Sequence, residues 1–112
     1  MTEGELQENV VKMAHLLRWR VAHFRPAQNA AGRWSTPVAA DGAGFPDLVL
    51  ARDRVVIFAE LKADGGRLSD AQRDWLAALP HSYLWRPVDW QSGEIEFILR
   101  GNVTKSSRSP AG

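Results

Sequence analysis

The chain has 112 residues, a formal net charge of +1, no cysteine and 45% hydrophobic residues. That describes one compact domain able to build its own core. It excludes a disulfide framework and thiolate metal sites, and it fits a reducing, cytoplasmic setting. No apolar run approaches the roughly 18–20 residues that span a membrane, and the acidic start "MTEGEL" is unlike a signal peptide.

Eleven of the fourteen basic residues are Arg. Arg forks onto phosphate oxygens in bidentate fashion, although a GC-rich genome would give the same bias.

In chain order, residues 3–19 read as an amphipathic helix. Leu6, Val10, Met13 and Leu17 recur at helical spacing, and Glu3, Glu5 and Glu8 load the turns where the helix dipole favours anions. "RVAHF", residues 20–24, is a short alternating strand. Residues 25–44, "RPAQNAAGRWSTPVAADGAG", show no periodicity. A long stretch of that kind in a small domain is functional, disordered or a plain surface loop. Arg25, Arg33 and Trp34 are its candidates for gripping a nucleic-acid backbone and stacking on a base.

"DLVLA" and "RVVIFAEL" are strands joined by a tight turn at Asp53-Arg54. After "ADGGR", Ser69 opens a helix that runs through Leu79 and stops at Pro80. "SYLWRPV" reads as another strand. "DWQSGEIEFILR" fits either a strand, through Ile95, Phe97 and Leu99, or a helix, through Ile95, Ile98 and Leu99. The tail "TKSSRSPAG" is polar and has the composition of a disordered segment. The order describes an α/β domain over residues 1–101, with a tail at 102–112.

If Asp53-Arg54 is a two-residue hairpin loop, Arg52 pairs with Val55, Leu50 with Ile57 and Asp47 with Glu60. Opposed residues share a face with Cβ atoms roughly 4.5–5.5 Å apart, and Lys62, two beyond Glu60, shares it too. Two carboxylates about 5 Å apart at an effective dielectric near 20 repel by on the order of 3 kcal/mol. One of the pair should therefore have a raised pKa, or a cation should sit between them. A hard, oxygen-loving ion such as Mg²⁺ suits that position. It polarises a phosphate oxygen and acidifies a bound water, while a nearby lysine orients or deprotonates that water. The alternative is an ordinary Glu60–Lys62 surface pair beside a turn Asp.

"GFPDLVL" followed by "FAELKADGGRLSDAQRDWLAAL" resembles the PD-(D/E)xK nuclease superfamily and, within it, the VRR-NUC group, which includes small stand-alone members in phages and bacteria. The resemblance implies a restriction-endonuclease-like αβββαβ core, a mixed sheet flanked by helices. It implies a Mg²⁺- or Mn²⁺-dependent DNA endonuclease in a bacterial or phage-infected cell. It also assigns roles. Asp47 and Glu60 bind the metal with the carbonyl of Leu61, Lys62 serves the attacking water, and Gln72 positions Lys62 or the DNA backbone. Glu5 or Glu8 on the first helix reaches the metal through water, the start "TEGELQ" favouring Glu5. Arg67 joins Arg25, Arg33 and Trp34 on the DNA. Stand-alone members resemble junction-resolving homodimers, which implies branched DNA or a Holliday junction as substrate. A duplex-cutting restriction or repair nuclease shares the chemistry. A non-catalytic nucleic-acid-binding module would share the fold alone. Gln72 also lies three residues after Ser69, a capping-box spacing that explains it without any site.

Overall fold

The computed structural model describes residues 1–24, 27–28, 30–35 and 39–103, with the side chains of 27, 28, 34 and 35 left aside. Helix α1 (Glu3–Leu16) opens on Thr2, whose hydroxyl accepts from the Glu5 amide while the Glu5 carboxylate accepts from the Thr2 amide. The helix ends three residues before the sequence expectation. Arg18 adopts a positive φ of 70°, its N–H donates to His15 O, and the Trp19 N–H donates to Ala14 O. This is a Schellman closure. It is normally announced by glycine, and here Arg stands in its place.

Strand β1 (Arg20–His23) pairs antiparallel with β4 (Leu48–Arg52), which pairs antiparallel with β5 (Val55–Leu61). Asp53 and Arg54 both have positive φ, 50° and 69°, the signature of a type I′ hairpin whose twist matches the strands. The register is the expected one, Arg52 against Val55 and Leu50 against Ile57. After α2 (Asp70–Ala78) the chain returns as β6 (Ser82–Trp85), parallel to β5. The result is a mixed four-stranded sheet in the order β1-β4-β5-β6. The span 25–44, expected to be irregular, contains a small antiparallel ribbon of β2 (Ala27–Gln28) and β3 (Trp34–Ser35). Two residues per strand are too few to leave a periodic signal.

The strand expected over 82–88 ends at Trp85. Pro87, at the first helical position, suits a helix start, and the Asp89 carboxylate accepts the Arg86 amide at 2.8 Å. These residues begin α3 (Pro87–Gln91), and α4 (Glu94–Leu99) follows. The ambiguous segment is thus helical. A strand would have buried Phe97 between Ile95 and Leu99, but Phe97 is 59% exposed while Ile95, Ile98 and Leu99 are buried.

One face of the sheet carries Leu48, Leu50, Ile57, Ala59, Leu61, Tyr83 and Trp85, which pack on Leu6, Val10 and Ala14 of α1 and on α4. Trp19 closes this core, its indole N–H donating to Leu99 O at 2.8 Å and its ring lying under the Arg52 guanidinium. Trp19 and Trp85 are core residues and Trp90 packs at its margin. The opposite face carries Phe58 and Glu60 and is covered by α2 and Phe45. No helix among the described residues is long and apolar enough to cross a membrane. Most of the expected tail, from residue 104 onward, lies outside the described residues.

Candidate active site

Continuing the β4–β5 register by one step sets Asp47 opposite Glu60. Both side chains lie on the α2 face, at the end of the sheet where β5 runs out. Glu60 is 2% exposed. Burial, then the charge of Asp47 and a hydrogen bond to it, push the Glu60 carboxyl up to about 9, with the distant charge of Glu3 adding to the rise and Lys62 opposing it. The two carboxyls crowd one another as their register requires, and the rise falls on Glu60.

Asp47 is held from the next strand, its Oδ2 accepting the Leu61 amide at 2.9 Å. Lys62 is half-buried just beyond the strand. Its amide donates to Trp85 O at 3.1 Å, and its aliphatic stem runs past Gly66, 3.4 Å from where a Cβ would stand there. The loop after Lys62 is tied down by Arg86, whose Nη1 donates to Ala63 O at 2.6 Å and to Asp64 O at 3.2 Å, while Asp64 accepts the Val88 amide. The short helix α3, invisible as such in the sequence, thereby fixes the segment that carries the lysine.

Gln72 makes the cap expected from its spacing and, besides it, a bond to Glu60 that the sequence did not announce. Its Oε1 accepts the Ser69 amide at 2.8 Å, and Ser69 Oγ accepts the Gln72 amide, completing the cap of α2. Its Nε2 points the other way and donates to Glu60 Oε2 at 3.4 Å. A helix cap is thus rigidly coupled to the buried carboxyl.

The approach of α2 to the sheet depends on Gly44. Its φ is +85°, and a Cβ there would stand 2.7 Å from the Ala71 carbonyl carbon and 2.8 Å from the Gln72 amide nitrogen. Backbone meets backbone at this point, so the collision cannot be relieved by turning a side chain. Gly44→Ala should lower the unfolding free energy by about 2 kcal/mol or more, combining positive-φ strain with overpacking. Urea denaturation with an unchanged midpoint would show that α2 can shift at no cost.

Glu5 is exposed, and its bonds to the Thr2 backbone and hydroxyl lower its pKa; the carboxylate is engaged in capping its own helix. Glu8 is exposed and 4.0 Å from Lys12. The α1 charge that reaches Glu60 is that of Glu3, which sequence reasoning passed over. The pattern Thr2-Glu3-Gly4-Glu5 is itself a capping-box spacing and was the available signal. Arg33 and Arg67 are exposed. Arg25 and the side chain of Trp34 lie outside what is described. His23 turns to the α1 face, its Nδ1 3.4 Å from the Gln7 amide nitrogen. Trp75 is half-buried, donating to Asp41 O and packing on Phe45.

The family model for the VRR-NUC domain matches residues 3–92. The chain belongs to the VRR-NUC family. Membership makes it a nuclease-type, DNA-processing protein, in a family that typically uses divalent metal ions. No curated protein and no solved structure matches the chain. The match takes in β1, the β4–β5 hairpin, α2 and β6, and so every element that carries the carboxyl pair. Among the described residues of this VRR-NUC domain, no three or more His, Asp or Glu side chains gather as a metal cage. The donors seen at the pair are two carboxyls. They suit a hard cation that keeps several waters and binds through one or two carboxylates and substrate phosphates. A dicationic charge would also relieve the conflict that raises Glu60.

Proposed function

We propose that this protein is a Mg²⁺- or Mn²⁺-dependent deoxyribonuclease that hydrolyses DNA phosphodiesters at Asp47, Glu60 and Lys62, in the manner of PD-(D/E)xK nucleases. The observation that carries this reading is the buried Glu60 set in register against Asp47, with the charge of Lys62 acting on Glu60 and Gln72 bonded to it. A protein gains no stability from a buried carboxyl forced against a second, half-buried one. The arrangement is favourable once a cation is counted.

Asp47, Glu60 and the Leu61 carbonyl would hold the metal, which when bound supplies charge to the phosphate oxygens and acidifies water. The chain's own residues do the rest. Leu61 N–H fixes the Asp47 carboxylate. Gln72 fixes Glu60. Lys62 orients or deprotonates the attacking water, and Arg86 holds the loop behind it. Glu3, whose charge reaches Glu60, joins Glu5 and Glu8 as a candidate for the α1 acid. Arg33 and Arg67, with Arg25 and Trp34, are the proposed DNA contacts.

The sharper version is a homodimer that cuts branched DNA, since symmetric cutting of two strands requires two sites related by a two-fold axis. The deciding assay is cleavage of a labelled four-way junction beside a linear duplex of the same sequence in Mn²⁺, with Asp47→Ala as control. Metal-dependent cutting lost in the variant is expected, and faster cutting of the junction supports the resolving role. Binding of both substrates without cutting would instead identify a binding module that kept the fold. A monomer in sizing experiments would remove the symmetric mechanism.

A further inference from the structure

Phe24 follows the last residue of β1, and its N–H donates to Asp47 O at 3.1 Å. The β1–β4 register, His23 against Leu48, places Phe24 directly opposite Asp47. Phe24, Asp47, Glu60 and Leu84 therefore form one row across the sheet, on the α2 face. With strands about 4.8 Å apart, the Phe24 Cβ stands about 5 Å from that of Asp47 and about 10 Å from that of Glu60. The ring is 41% exposed.

It is also held firmly. Phe24 meets Phe45 edge-to-face at 5.6 Å, and Phe45 is clasped in turn by Phe58 at 6.0 Å and Trp75 at 5.0 Å. Gly44 pins the same segment against α2. An aromatic ring braced in this way, exposed beside a pair of carboxyls, is a ready platform. Aromatic faces take up bases of any sequence by stacking.

We propose that Phe24 stacks an unpaired base next to the phosphate held at Asp47 and Glu60, and so directs the enzyme to DNA with unpaired nucleotides at the cut. This rests on the nuclease reading above. A base within a duplex has both faces covered by its neighbours and its edge paired. It must leave the stack to offer a face to the ring, which costs a few kcal/mol. A base in a fork, overhang or single strand is already free of most of that cost. The ring thereby discriminates between substrates without reading sequence.

The test compares a forked DNA with a blunt duplex of the same sequence in Mn²⁺, for the wild type and for Phe24→Ala, Phe24→Leu and Phe24→Tyr, each checked by its melting curve. Leu keeps the apolar contact with Phe45 and removes the aromatic face, whereas Tyr keeps both. The fork-to-duplex rate ratio is expected to fall at least about fivefold in the Ala and Leu variants and to return with Tyr. In parallel, a single strand containing 2-aminopurine is titrated in EDTA. Its fluorescence should be quenched by the wild type and by Tyr, and not by Ala or Leu. An unchanged rate ratio in Phe24→Ala, or a Leu variant equal to wild type, would overturn the platform and leave Phe24 a packing residue. If the wild type cuts neither substrate, the nuclease reading fails, and the quench alone decides: quench lost in Ala and Leu supports the platform, and no quench with wild type overturns it.

Discussion

Asp47→Asn is expected to lower phosphodiester cleavage on the order of 10³-fold, since losing one anionic ligand removes several kcal/mol of transition-state stabilisation. The fold should survive. The Asn side-chain oxygen can still accept the Leu61 N–H that Asp47 Oδ2 accepts at 2.9 Å. Substitution also removes the charge that, after burial, does most to raise Glu60. In EDTA the variant should therefore melt no lower than the wild type, and near or above neutral pH somewhat higher. Activity and stability move in opposite directions, which separates a functional carboxylate from a structural one. A surface or purely structural Asp would give the reverse result: cutting retained, stability lost. Single-turnover cleavage and thermal melts on the same preparation read both quantities. Lys62→Ala supplies the companion measurement, with cleavage lost and DNA binding retained. If that variant only weakened binding and reduced its salt dependence, Lys62 would be a phosphate contact.

The parts of this site legible in the sequence are those set by local rules. The Asp53-Arg54 hairpin fixes its own register, so the meeting of Asp47 and Glu60 follows from counting. The Ser69–Gln72 cap follows from spacing. The parts missed depend on long-range partners or on residues in unusual conformations. Arg18 ends α1 with a positive φ that non-glycine residues seldom adopt, so the apolar spacing alone predicts a helix extending to residue 19. Pro87 and the Asp89 carboxylate turn an apparent strand into a helix start, and Arg86 becomes legible as a support only once α3 is seen beside the 63–64 loop. Phe24 gains its meaning from the pairing of β1 with β4, two segments separated by the whole 25–44 span. Neither its exposure nor its bracing by Phe45 can be derived from local pattern.

In the absence of metal, stability should fall as pH rises between about 4.5 and 9, on the order of 1 kcal/mol per pH unit from Glu60 alone. The sign follows from proton counting. Glu60 in the folded chain keeps its proton up to about 9, whereas an exposed carboxyl in the unfolded chain releases it near 4.5. Between these values the native state binds more protons than the unfolded state, so raising the pH favours unfolding. The contribution is fully present below the unfolded pKa and is lost as pH climbs through the folded one. A divalent cation inverts this pattern, because ligation requires the ionised carboxylate. Mg²⁺ or Mn²⁺ should stabilise the fold little at about pH 5.5 and most at about pH 8.5, by about 2.7 kcal/mol when the metal stands at a hundred times its Kd, and the melting temperature should rise accordingly. Glu60→Gln is the decisive comparison. The amide cannot titrate and is a poor ligand, so the variant should lose both the pH slope and the metal-induced rise. A wild-type slope persisting in Glu60→Gln would place the titrating group elsewhere. A wild-type melting curve indifferent to millimolar metal at the alkaline end would mean that the two carboxyls share a proton and nothing more.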